Sequence, residues 1–120
     1  MIKNFEAITQ PLNDEELKLV DIIIAGLRKR GKAEALKGEE ICERINAKRE
    51  SLGLEKKLTD ARLRKITNHI RTNGMLPIIA TSKGYYCSYN RVEIQAQIES
   101  LEERASAIQA SADGLKKFLA

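Results

Sequence analysis

Residues 59–89 read TDARLRKITNHIRTNGMLPIIATSKGYYCSY, and this stretch decides the fold. Leu63, Ile66 and Ile70 stand three and four apart, so they share one face of a helix. At about 100° per residue, Ala61, Arg64, Lys65, Asn68 and Thr72 fall on the other side. That side is cationic and adds an amide and a hydroxyl. Thr59 stands where it can cap the first turn, and Gly74 ends the helix at a position that favours a left-handed residue. Pro77 blocks a helical restart, and Ile78, Ile79 and Ala80 favour a strand. Ser82-Lys83-Gly84 is turn chemistry, and Tyr85, Tyr86, Cys87 and Tyr89 suit a returning strand. A basic helix backed by a lysine-tipped hairpin is suited to gripping duplex nucleic acid.

Working outward, Asn13 opens an earlier helix with a capping box, since Glu16 stands three residues on. Leu12 can staple onto Leu17, and Leu17, Val20, Ile23, Ile24 and Leu27 form the expected buried stripe. Arg28, Lys29 and Arg30 gather at the far end before Gly31. Residues 33–37 (AEALK) read as weak helix by propensity. Gly38 to about Lys48 forms a second helix with Ile41, Cys42 and Ile45 inward. In the connector 49–58, Leu52, Leu54 and Leu58 tuck in, while Lys56 and Lys57 face water or a ligand. Residues 1–12 are a lead-in in which Phe5 and Ile8 are possible anchors.

The run LRKITNHIRTNGMLPIIATSKGYY resembles the recognition helix and wing of winged helix-turn-helix proteins, in particular small ones encoded by phages and prophages. The likeness covers roughly residues 13–89. It implies a mainly α fold with a small β-wing: three helices plus a two- to three-stranded antiparallel sheet, followed by a long C-terminal helix. It makes residues 33–37 the short first strand. The long polar segment between the second and third helices departs from a tight helix-turn-helix. Carried onto this sequence, the resemblance puts Arg62, Arg64, Lys65 and Asn68 near base edges. Arg64 is suited to guanine and Asn68 to adenine, whereas Lys65 and Arg71 meet phosphates. Thr59 offers a hydroxyl and a backbone N–H to a phosphate, and Lys83 sits at the wing tip.

Charge distribution agrees with a localised anion-binding surface. The chain has 120 residues and a net charge of +4. Residues 28–91 hold 16 Lys/Arg against 7 Asp/Glu, or +9. Residues 1–27 give 2 − 5 = −3, and residues 92–120 give 3 − 5 = −2. A basic middle between acidic ends points to one anionic partner surface.

From Asn90 the pattern changes to heptads. Ile94, Ile98, Leu101, Ala105, Ile108, Ala112, Leu115 and Leu119 are spaced 4, 3, 4, 3, 4, 3, 4. A helix with that seam either folds back on its own domain or pairs with a second copy, and the narrow stripe favours a homodimer. Parallel and antiparallel pairing suit the small residues equally. Domain boundaries are therefore expected at 1–12, 13–89 and 90–120.

Little in the chain reads as catalytic. His69 is the single histidine, and Cys42 and Cys87 are far apart, so neither a zinc site nor a disulfide is expected. Both thiols read as small buried hydrophobes. No phosphate loop, serine elbow or HExxH occurs, and no cofactor, metal or enzymatic activity is expected. Met1-Ile2-Lys3 leads into polar residues rather than an apolar run, and a cytoplasmic protein of a bacterial host is expected. The resemblance implies double-stranded DNA as partner and transcriptional regulation as the role. An accessory part in phage replication or packaging comes second, and a non-catalytic protein–protein interaction module is the rival.

Overall fold

A computed structural model describes residues 11–120, so Phe5 and Ile8 lie outside the described residues. The chain divides after Ser88 into two units. The first carries three α-helices, α1 (Asp14–Arg28), α2 (Gly38–Ala47) and α3 (Asp60–Thr72), and an antiparallel hairpin of β1 (Ile78–Thr81) and β2 (Gly84–Cys87). The second is one long helix, α4 (Arg91–Lys116), followed by a 3-10 turn at Lys117–Leu119. Among the described residues the fold is thus mainly helical with a two-stranded sheet. No helix among them is long and apolar enough to cross a membrane.

α1 starts as the sequence predicts. The Asn13 side chain accepts from the Glu16 amide at 2.8 Å, and the Glu16 carboxylate accepts from the Asn13 amide at 2.9 Å. Its inward face is different from the expected stripe, however. Leu17 is 47% exposed, whereas Leu19 is buried with Val20, Ile23, Ile24 and Leu27. The cause is Glu16, which is itself buried. Turning its carboxylate inward to meet Arg62 rotates the helix so that the 16–19–20–23–27 line faces the core. The helix closes at Arg28 with Lys29 as its cap, ahead of Gly31.

Residues 33–37 form no regular strand. A 3-10 turn spans Lys32–Glu34, and only Leu36 pairs with the hairpin, exchanging backbone hydrogen bonds with Tyr85 at 3.0 and 2.7 Å. The third strand is therefore reduced to one bridge. Gly84 makes that bridge possible: its φ is 124°, and a Cβ there would stand 2.3 Å from the Leu36 carbonyl carbon. Within the hairpin, Ile78 lies opposite Cys87 and Thr81 opposite Gly84.

The connector is fixed by an amide clamp. Asn46 of α2 donates to the Leu58 carbonyl at 3.0 Å and accepts from the Leu58 amide at 2.7 Å. Leu54 and Leu58 are buried and Leu52 is half-buried against the same core. Thr59 then caps α3, accepting from the Arg62 amide at 3.3 Å. Leu63, Ile66 and Ile70 are fully buried, each worth roughly 2 kcal/mol of apolar transfer. α3 packs against α1, α2 and β1 through that face. Gly74 ends it at a φ of 61°.

Candidate nucleic-acid interface

With its apolar side in the core, α3 turns Arg64 and Asn68 to solvent, with Lys65 half-exposed between them. Arg64 Nε stands 3.1 Å from the Asp60 carboxylate one turn earlier, and both side chains are more than half exposed. Such a pair is worth only about 0.3–0.5 kcal/mol, so Arg64 is readily released to a stronger anion. Its i, i+4 spacing is the kind of signal a sequence carries.

One shallow cleft joins this helix to the hairpin. Arg64 and Asp60 line it together with Lys37, Thr81, Ser82 and Tyr85. The Lys83 side chain is exposed at the turn, where its amide donates to Thr81 Oγ1 at 3.2 Å. Lys37 escapes sequence reading because only the Leu36–Tyr85 bridge brings it to the hairpin. Tyr85 is half-buried against the core, and Tyr86, on the opposite face of β2, is also buried, so both tyrosines serve packing. Thr67, unmarked in the sequence reading, is buried beneath Arg64 and donates to the Arg64 carbonyl at 3.0 Å.

The remaining predicted residues separate from that set. Arg62 is turned inward: Nε and Nη2 donate to the two Glu16 carboxylate oxygens, and Nη2 also donates to the Pro11 carbonyl at 3.0 Å. Both side chains are at most 15% exposed. Burial raises the Glu16 carboxyl, but the hydrogen bonds from Arg62 and the Asn13 backbone, with the Arg62 charge, outweigh it and hold its pKa below the usual value. Arg71 reaches the hairpin, donating from Nε to the Ile78 carbonyl at 3.0 Å. Thr59 is exposed, yet its hydroxyl already caps α3. The seven residues thus divide: Arg64, Lys65, Asn68 and Lys83 present polar groups outward, Arg62 and Arg71 tie α3 to α1 and to β1, and Thr59 caps α3.

Neither thiol has the environment of a reactive group. Cys42 and Cys87 are free and buried, and burial, with Asp60 nearby, pushes Cys42 up to about 11. Among the described residues no cluster of His, Cys, Asp and Glu is arranged to hold a metal. On the C-terminal helix, Ile98, Leu101, Ile108 and Leu115 are all exposed and no residue is buried. Leu119 falls in the 3-10 turn, so the α-helical part of the seam ends at Leu115. Comparison of the chain with known protein families, curated proteins and solved structures finds no match.

Proposed function

We propose that residues 13–89 are a winged helix-turn-helix domain that binds duplex DNA, with α3 as recognition helix and the β1–β2 hairpin as wing. One observation carries this reading: Arg64 of α3, with Lys37, borders a single cleft together with Thr81 and Ser82 of the hairpin turn. An α-helix fits the major groove, where Arg64 offers two donors to guanine and Asn68 a donor and acceptor to adenine. They are one turn apart, which allows neighbouring base pairs to be read. Lys65 and Lys83 neutralise phosphates, a contribution that sets affinity and register but not sequence. The exposed ion pair with Asp60 is weak enough for a phosphate or base to replace the carboxylate.

The domain works as a homodimer through α4, so that two recognition helices engage two sites and each strengthens the other. The role is transcriptional regulation of the kind small phage and prophage proteins perform, in the cytoplasm or nucleoid of a bacterial host. It involves no catalysis and no metal. The exposed aliphatic residues of α4 favour one further contact class, a protein partner, and the homodimer accounts for it.

Binding of the purified chain to a mixed-sequence duplex, followed by fluorescence anisotropy at low and moderate salt, tests the reading. Affinity that falls steeply with salt is the expected result. Absence of binding at the lowest salt overturns it and returns the domain to the interaction-module class.

A further inference from the structure

We propose that two copies of this chain pair through α4 in antiparallel orientation, about a point between Ser106 and Ala107. The proposal rests on the dimer part of the reading above and not on its DNA part. α4 is one uninterrupted helix from Arg91 to Lys116, running through Gly114 without a break. Along it Ile98 is 42%, Leu101 36%, Ile108 71% and Leu115 68% exposed. A continuous stripe of that kind on a long helix requires a cover.

The order of large and small residues selects the orientation. In a parallel pair each seam residue meets its own counterpart. Leu101, Ile108 and Leu115 would then form wide layers, with Ala105 and Ala112 facing themselves between them. Two straight helices hold one separation, so the wide layers would leave a void at each alanine layer. In the antiparallel pair Ala105 meets Ile108 of the partner subunit and Ala112 meets Leu101 of the partner subunit. Ile108 and Leu101 receive the reciprocal contacts. Every central layer then holds one large and one small side chain, so a single close separation fills them all. Ile98 meets the partner's Leu115 in a large–large layer at each end, outside the four mixed layers.

Charge points the same way. Residues 91–106 hold two cations and four anions, 2 − 4 = −2, and residues 107–120 hold two cations and one anion, 2 − 1 = +1. Parallel pairing sets the acidic half that carries Glu102, which flanks the seam, beside its own copy. Antiparallel pairing sets it toward the partner's half, where Lys116 flanks the seam. The helix dipoles also oppose one another in this arrangement.

The two orientations differ in the distances between copies. Ala96 and Ala110 are exposed and lie on the side of α4 away from the seam. In the antiparallel pair the two copies of Ala96 are 21 residues apart along the axis and those of Ala110 only 7. At 1.5 Å per residue these offsets are about 32 and about 10 Å. Spin labels on Ala96→Cys and, separately, Ala110→Cys in the full chain, read by pulsed dipolar spectroscopy, measure them. The native thiols are buried, and the unsubstituted protein labelled in parallel gives their background. The expected result is a mean distance at least about 10 Å longer for Ala96 than for Ala110. Equal distances, or a longer one at Ala110, overturn the antiparallel orientation while leaving a dimer. No dipolar coupling at either site, with a monomer's mass by sedimentation, overturns the dimer itself.

Discussion

The two sides of α3 carry arginines two residues apart whose surroundings are opposite. On the side toward α1, Arg62 is 15% exposed and holds a carboxylate that is 9% exposed. On the outer side, Arg64 is 62% exposed against an Asp60 that is 51% exposed. The chemistry of each pair is the same and its consequence is not. A buried pair broken on one side leaves an uncompensated charge out of water, whereas an exposed pair exchanges its partner for water at little cost. An arginine therefore becomes structural or available by where the helix is rotated, and the buried face of Leu63, Ile66 and Ile70 decides that rotation.

Removing the inner arginine has the largest expected effect. Arg62→Ala strands Glu16 in the interface between α1 and α3 and lowers unfolding stability by about 3 kcal/mol or more in urea titration. Unchanged stability together with weakened DNA binding would move Arg62 to the outer set. Gly84→Ala comes next. It forces a Cβ against the Leu36 backbone at a positive φ, and a loss of about 2 kcal/mol is expected in thermal unfolding. Wild-type stability in that variant would mean that the Leu36–Tyr85 bridge yields freely and does not fix the cleft.

Acid provides a gentler probe of the inner pair. Because the folded-state pKa of Glu16 is lowered, its contribution is present above the unfolded value and is lost as pH falls below about 4.5. Glu16→Gln should start less stable at neutral pH and lose less between pH 5 and 3 than the parent. Parallel pH profiles of the two proteins would contradict the assignment. The smallest stability effect belongs to the outer side: Arg64→Ala/Lys65→Ala should unfold within about 0.5 kcal/mol of the parent.

Much of this architecture is legible in the sequence because its signals are local. The Asn13–Glu16 box, the Leu63/Ile66/Ile70 face, the Thr59 cap and the Gly74 stop each depend on residues within one or two turns. The inward set Ile41, Cys42 and Ile45 of α2 follows for the same reason. What could not be read is what depends on distant partners. Leu17 continues the stripe three residues before Val20 and Leu19 four before Ile23, and the pairing of Glu16 with Arg62, 46 residues away, goes with the inward turn of Leu19. Likewise AEALK gives no strand signal, since its single bridge at Leu36 is made by a hairpin formed much later in the chain. In the candidate interface, Arg64, Lys65 and Asn68 emerge from periodicity. Arg62 joins them only through the winged-helix resemblance, since periodicity does not place it on the outer side, and sequence distance from the hairpin hides Lys37.

The most direct test is the salt dependence of duplex-DNA binding for Arg64→Ala/Lys65→Ala beside the parent, with both proteins verified as folded. The account predicts affinity at least about tenfold weaker and a salt slope shallower by about one to two units, as expected when side chains that contact phosphates or base edges are removed. Equal affinity and equal slope in the two proteins would contradict it, because the outer side of α3 would then not face DNA.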